Sequence, residues 1–286
     1  MHNQLRFIIA AAALLAANAA LAQDAKVGSL VGDVHQGQQV YRRYCIGCHG
    51  ARGDGLGDNA PWVDPKPRDF TSATFKCRST PTGTLPTDED LFNTIGRGLH
   101  ATAMPSWGAL TKQQRINLVA YIKSFSPRFK EEKAGDPIPI PAESPATAES
   151  VHRGAELFQK MNCWSCHGKQ GHGNGPSSVG LTDSKGFPIT PYDFTSTSQF
   201  KCGEGSHDLY RAFMTGLDGT PMPSFADSLE PSAAWDLVHY VQTFGTSKGR
   251  VKPVPAGTIR ASAPENRPSP ADSKDKAKAG GGSEQQ

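Results

Sequence analysis

The chain has 286 residues, 37% of them hydrophobic, with 30 glycines, 22 prolines and a formal net charge of +3. This length exceeds what one small domain needs, and a near-neutral chain without a lysine-rich recognition helix gives no indication of nucleic-acid binding. The small apolar fraction and the many glycines and prolines favour short helices joined by long loops, with something besides side chains filling the core.

The first 22 residues have the organisation of a secretory signal peptide. Arg6 precedes an apolar run from Phe7 to about Ala17, and Ala20-Leu21-Ala22 has the small-x-small form of a cleavage site. The alternative is a retained membrane anchor, but the apolar run is short for a spanning helix, and no later segment is apolar for long enough. We therefore expect cleavage after Ala22 and export of a mature chain without a transmembrane segment.

The rest of the chain is an internal repeat, because six motifs occur in the same order twice. The pairs are HQG and HRG at residues 35 and 152, CIGCHG and CWSCHG at 45 and 163, RDFTS and YDFTS at 68 and 192, FKC at 75 and 200, MPS at 104 and 222, and YIKSF and YVQTF at 121 and 240. The loops between the motifs differ in length: His49 to Cys77 is 28 residues but His167 to Cys202 is 35. The entry helices differ by one residue, because Gly37 precedes Cys45 by eight residues and Gly154 precedes Cys163 by nine. We therefore expect a slightly irregular helix before the second cysteine pair.

The repeat predicts two domains, at residues 35–129 and 151–247. The segment between them, 130–150, is proline-rich and acidic, so we expect an extended, semi-rigid linker. The tail, 248–286, is rich in Pro, Ala, Ser, Gly and Lys and has no apolar periodicity, so we expect it to be disordered.

Helices are predicted at corresponding places in the two domains. In chain order they cover 36–45, a segment starting at Thr87, a segment after Thr111, 151–163, a segment starting at Ser206, and a last one around 235–242. The acidic turn after Thr87 suits a helix dipole, and the sequence from Thr111 to Gln114 has the form of a capping box. No run of alternating residues predicts a strand.

Charge is distributed unevenly along the chain. Residues 35–130 hold 13 Lys/Arg and 7 Asp/Glu, a net +6, whereas residues 151–247 hold 6 and 9, a net −3. The tail from Lys248 onward holds 8 and 4, a net +4. Such a chain is suited to different partners at its two ends.

Cys-x-x-Cys-His is the attachment pattern of haem c. Two thiols one helical turn apart reach the two vinyl groups on one edge of a porphyrin, and the next residue directs its imidazole at the iron. The pattern predicts thioethers from Cys45 and Cys48 with His49 as iron ligand. The second set is Cys163, Cys166 and His167.

This pattern has three alternatives to haem attachment. A structural zinc site needs four grouped ligands, which Cys77 or Cys202 could complete. A thioredoxin-like motif needs a βαβ context, and none is visible. A disulfide within each motif leaves the repeated histidine unexplained.

Each half resembles a class I cytochrome c, on a glycine and an aromatic residue in the first helix, CxxCHG, a glycine-rich loop, Met-Pro and an aromatic-bearing last helix. Together the halves resemble a tandem di-haem cytochrome c of the bacterial periplasm, over residues 35–129 and 151–247. The resemblance implies a mainly α fold with two domains, each wrapped around a haem, two covalently attached haem c groups with iron, and a periplasmic location.

In such cytochromes the sixth iron ligand is usually a methionine sulfur, which raises the redox potential. Met104 is the only methionine of the first domain, and Met222 shares its MPS motif. The metal ligands implied are therefore His49 with Met104 and His167 with Met222. The alternatives are Met161 and Met214, and the histidines at 100, 207 and 239. Both MPS methionines could also merely pack.

Three side chains are candidates for binding haem propionates. Arg68 and Trp62 are the candidates for the first haem, and Tyr192 is the counterpart for the second. Cys77 and Cys202 are left over in an exported chain and sit in equivalent motifs, which favours a disulfide between the domains; the competing hypothesis is a thiolate haem ligand.

The function that follows is electron transfer between a donor and an acceptor redox protein, with no catalytic residue. Two alternatives remain. One is a haem enzyme that oxidises a small sulfur compound, as thiosulfate dehydrogenases do. The other is the cytochrome subunit of a larger oxidoreductase, docked at a membrane or in the periplasm.

Overall fold

A computed structural model describes residues 24–196 and 200–246. The predicted signal peptide and the tail from residue 248 lie outside the described residues. In chain order the helices are α1 (Val34–Tyr44), α2 (Ile46–His49), α3 (Asp88–Arg97), α4 (Lys112–Lys123), α5 (Arg128–Glu131), α6 (Ala148–Lys160), α7 (Trp164–His167), α8 (Ser206–Thr215) and α9 (Pro231–Thr246). Short 3₁₀ helices cover Ala60–Trp62 and Pro176–Ser178. The predicted mainly α fold is confirmed, and no helix in the described ranges is long and apolar enough to cross a bilayer.

Helix starts follow the capping residues expected from the sequence. The hydroxyl of Thr87 accepts a hydrogen bond from the backbone N–H of Asp90, whose carboxylate accepts one from the N–H of Thr87. Thr111 and Gln114 form the same reciprocal pair at the start of α4. These bonds satisfy N–H groups that have no partner within the helix, so they fix where α3 and α4 begin.

Each half is organised around two crossing helices. In the first half, residues 24–130, α1 crosses α4; in the second half, residues 148–246, α6 crosses α9. A side chain on Gly37 would collide with the carbonyl oxygen of Asn117, and one on Gly154 would collide with that of Asp236. Glycine at these two positions therefore lets the backbones approach closely and sets the frame of each half.

The helix before the second cysteine pair is irregular, as the extra residue predicts. In the first half α1 runs to Tyr44, and the N–H of Cys45 bonds to the carbonyl of Tyr41. In the second half α6 ends at Lys160, Asn162 takes a left-handed conformation with φ +58°, and the N–H of Cys163 bonds to the carbonyl of Phe158. One extra residue is thus accommodated by a single left-handed turn, and the cysteines reach equivalent places.

The segment before residue 34 contributes to the first half, which the sequence did not predict. Strands β1 (Lys26–Val27) and β2 (Leu30–Val31) pair antiparallel, with Lys26 opposite Val31. Ala25 is fully buried in the core of the first half. Two residues per strand are too few to leave an alternating pattern in the sequence.

The linker contacts both halves rather than running free between them. The N–H of Ile138 bonds to the carbonyl of Ser79 at 2.8 Å, and Ile138 and Ile140 pack on the core of the second half. Further along, Glu143 accepts a hydrogen bond from Ser206 at 2.5 Å. The linker therefore forms part of the boundary between the halves.

Direct contacts also join the halves. Cys77 and Cys202 are paired, with Sγ atoms 2.04 Å apart. The Arg78 guanidinium, whose side chain is fully buried, donates to the carboxylate of Asp218 at 2.8 Å and to the carbonyl of Thr215 at 2.7 Å.

Candidate functional site

The imidazole of His49 is buried and held by one backbone carbonyl. Its Nδ1 lies 3.0 Å from the carbonyl oxygen of Arg68, and its ring stacks on Phe70 with centroids 4.4 Å apart. Burial lowers the pKa of His49, and this effect outweighs the hydrogen bond to Arg68, which raises it. A neutral ring that donates from Nδ1 to the carbonyl keeps its Nε2 lone pair free, which is the state an iron ligand needs.

The second half repeats this arrangement closely. Nδ1 of His167 lies 3.1 Å from the carbonyl oxygen of Tyr192, and its ring stacks on Phe194 with centroids 4.4 Å apart. Burial lowers the pKa of His167 as well. The stacked phenylalanines were not predicted as site residues, although both belong to the repeated DFTS motif.

The cysteines of both motifs lie in apolar surroundings. Burial raises the pKa of Cys45 to about 12 and that of Cys163 to about 11, and the neighbouring Cys48 and Cys166 add to these shifts. A haem thioether carries no charge and therefore suits these apolar surroundings. In residues 24–196 and 200–246 no cluster of three or more His, Cys, Asp or Glu side chains forms a metal site, and Cys77 and Cys202 are paired with each other.

A cavity of about 330 Å³ in the first half brings the predicted residues together. Cys45, Cys48, His49 and Met104 all line it. The rest of the wall is mainly apolar and includes Tyr41, Phe70, Leu91, Ile95, Leu118 and Ile122. Two thiols, a neutral imidazole and a thioether on one apolar cavity are the groups that hold haem c, so the residues present fit this cofactor.

The two predicted methionines occupy equivalent loops. The N–H of Met104 bonds to the hydroxyl of Thr102 at 3.1 Å, and its carbonyl accepts from the N–H of Leu99 at 3.1 Å. In the second half Thr220 and Leu217 hold Met222 in the same way, at 3.2 and 3.1 Å. Identical backbone bonding around both methionines supports the choice of Met222 by its place in the repeat.

The alternative ligands of the second half lie in the core, at a helix end or against other side chains. Met214 is buried in the core of the second half, and Met161 caps the C-terminus of α6. The ring of His239 is buried beside Ser150, 2.9 Å from its hydroxyl, and His207 packs edge-on against Trp235. In the first half, His100 is not among the residues that line the cavity.

The propionate candidates separate clearly. Trp62 is 86% exposed and is not among the residues that line the cavity, so the structure does not support its predicted role. Arg68 does line the cavity. Lys76 of the first half and Lys201 of the second half line it too, and neither was predicted.

The fold and the paired sites define a protein made of two cytochrome c domains. Residues 32–122 match the family described as cytochrome c oxidase, cbb3-type, subunit III, and residues 151–245 match the family described as cytochrome c. No curated protein matches the chain.

Among solved structures, a chain of the reducing HAO-like protein complex of Kuenenia stuttgartiensis is similar, with 40% sequence identity and a TM-score of 0.72. The match covers 77% of this chain and 97% of that chain. The chain therefore belongs to the tandem di-haem cytochromes c, and it carries two covalently bound haem c groups.

Proposed function

We propose that this cytochrome transfers electrons in the bacterial periplasm between two respiratory redox proteins. Each iron supplies the chemistry by cycling between ferric and ferrous states when the haem is bound. The observation that carries the proposal is that each half offers one histidine and one methionine in equivalent positions. His49 with Met104 and His167 with Met222 would supply two protein ligands to each iron, which would leave no position for a substrate.

The chain's own residues suit rapid electron transfer. The ring of each histidine is fixed by a carbonyl and a stacked phenylalanine, and each methionine loop is fixed by a threonine hydroxyl. Such preorganisation keeps the ligand set unchanged between oxidation states. We assign no catalytic residue.

The proposed location rests on two features. The first 22 residues have the form of a signal peptide cleaved after Ala22. Cys77 and Cys202 are paired, and we propose that they form a disulfide, which persists in an oxidising compartment such as the periplasm. Donor and acceptor are proposed to differ in charge, because residues 35–130 carry a net +6 and residues 151–247 a net −3.

A second candidate function is that of the cytochrome subunit of a larger oxidoreductase. The observation that favours it is the similarity to a chain of a reducing HAO-like protein complex. Oxidation of a sulfur compound at a cysteine-ligated haem is less favoured, because Cys77 and Cys202 lie paired with each other, and the proposed disulfide would leave neither as a ligand.

An optical redox titration of the holo-protein tests the proposal that it is an electron carrier with two His/Met-ligated haems. We expect both haems to titrate at high potential and both to show the charge-transfer band between methionine sulfur and ferric iron. One haem titrating far lower without that band would contradict the ligand set. Gel filtration and pull-down from the native source then separate a free carrier from a subunit, because a subunit elutes with a fixed stoichiometry of partner chains.

A further inference from the structure

Three cationic side chains converge where the two halves meet. Arg68 and Lys76 come from the first half and Lys201 from the second, and all three line the cavity of the first half. Lys76 and Lys201 precede Cys77 and Cys202 in the repeated FKC motif. The pairing of these cysteines therefore brings both lysines to the same boundary.

Arg68 lies against the second half as well. A Cβ on Gly219 would come within 3.0 Å of its Nη1 atom. The backbone carbonyl of Arg68 accepts the hydrogen bond from His49. Arg68 thus connects the histidine of the first half to the boundary between the halves.

No described carboxylate forms a close ion pair with this cluster. Within the described residues, none of the three cations has a carboxylate oxygen within 4.0 Å. Asp69, the nearest carboxylate in sequence, is 2.5 Å from Lys185. The carboxylate of Asp218 is bonded to Arg78.

The remaining carboxylates of this region act only at longer range. Asp183 accepts hydrogen bonds from the N–H groups of Lys185 and Phe187, and Asp64 is exposed. Burial lowers the pKa of Lys76 to about 8, and the charges of Arg68 and Lys201 contribute to this shift. Three half-buried like charges are costly unless an anion joins them.

A haem held in this cavity would bring such an anion. Cys45 and Cys48 would attach it through its two former vinyl groups, and the half of the macrocycle away from those groups carries two propionate carboxylates. Besides these three cations, the Lys and Arg side chains on the mainly apolar cavity wall include only Lys66. The ammonium of Lys66 already donates hydrogen bonds to the carbonyls of Ala60 and Pro61.

We propose that Lys76 and Lys201, together with Arg68, bind the propionates of the haem in the first half, so that a side chain of the second half helps to set the redox potential of the first haem. The inference rests on the haem itself and not on the identity of any donor or acceptor. Positive charge near the iron disfavours the ferric form, so losing one of these cations lowers the potential.

The test is a redox titration of holo-protein variants with both haems in place. Lys201→Met is compared with Lys201→Arg, which keeps the charge, and with Lys160→Met, which removes an exposed lysine of the same half. Titrations of Met104→His and Met222→His assign each wave to its haem. We expect Lys201→Met to reduce the equilibrium constant for reducing the first haem roughly tenfold, a fall of about 59 mV for a one-electron couple.

The second haem should be unchanged in Lys201→Met, and Lys201→Arg and Lys160→Met should both resemble the wild type. Redox-induced infrared difference spectra provide a second readout, in which Lys201→Met should shift a propionate carboxylate band and Lys160→Met should not. The proposal is overturned if Lys201→Met leaves the first potential unchanged, moves both haems equally, or is matched by Lys160→Met.

Discussion

The two halves of the molecule hold their candidate iron ligands alike but surround them differently. His49 and His167 have the same carbonyl contact and the same stacked phenylalanine. The residue that provides this carbonyl is Arg68 in the first half and Tyr192 in the second, so the two side chains differ in charge. A carbonyl and a stacked ring thus hold both histidines alike, while the neighbouring side chains give each site its own electrostatic environment.

Substituting the methionines tests whether the two halves use equivalent iron ligands, and it should give the largest change in redox potential. We expect Met104→His to lower the potential of the first haem only, and Met222→His that of the second only. Each fall should be a few tenths of a volt, within the range of about 0.8 V that axial ligands control. Potentiometry with near-infrared spectra of the methionine-to-iron band is the measurement, and two unaltered waves in either variant would refute that ligand.

Arg78 tests a contact that the second half cannot make in return, because the equivalent residue after the FKC motif of the second half is Gly203. Its fully buried guanidinium bonds to Asp218 across the boundary. We expect Arg78→Met to cost about 3 kcal/mol in the free energy of unfolding, because it breaks a buried pair. Arg52→Met, at a pair whose arginine is 84% exposed, is the control and should cost at most about 1 kcal/mol. Denaturant titration of the holo-protein measures both, and equal costs would contradict the role of the boundary contact.

The crossing glycines test whether both halves depend equally on close helix packing. Gly37→Ala and Gly154→Ala each place a methyl group against a carbonyl oxygen of the facing helix. We expect each to cost about 1–3 kcal/mol in unfolding free energy. Gly108→Ala, where the nearest atom would be a serine hydroxyl at 3.3 Å, should cost less in the same denaturation experiment. A neutral Gly154→Ala would show that the second crossing is looser than the first.

The smallest expected effect is a change of stability with pH. Asp69 pairs with Lys185 of the other half, whereas Asp193, which occupies the equivalent position in the second half, lies 3.8 Å from His172. Burial raises the pKa of Asp69, but hydrogen bonds from Lys185 and Thr71 outweigh it, so the folded pKa is below its ordinary value. The pair therefore stabilises the fold above the unfolded pKa of about 3.9, and this contribution disappears as the pH falls through the folded value.

Unfolding curves between pH 7 and pH 3 measure this contribution. Asp69→Asn should be less stable at pH 7 by on the order of 1 kcal/mol, and the difference from the wild type should shrink toward pH 3. A constant difference across that range would mean that Asp69 acts by packing and not by charge.

Local patterns predicted most of the fold. The capping residues Thr87 and Thr111 gave correct helix starts, and the extra residue before Cys163 gave the irregular α6. The assignment of His49, His167, Met104 and Met222 as iron ligands stays a prediction, although the structure gives each pair equivalent surroundings.

Contacts between the halves could not be predicted in the same way. Arg78 and Asp218 are 140 residues apart, and no periodicity of either segment indicates that they meet. Lys201 reaches the cavity of the other half only because the two halves dock. The structure does not support the predicted role of Trp62, because a single aromatic residue has no sequence signal that separates exposure from cofactor contact.

The cysteine pair also has a topological consequence. Cys77 and Cys202 are 125 residues apart, and the linker lies between them in the chain. With that pair bonded, the backbone forms a closed ring that passes through both halves. A protease cut within residues 133–147 would open the ring without releasing a fragment, so the nicked cytochrome would migrate as one species until a reductant separated it into two haem-bearing pieces.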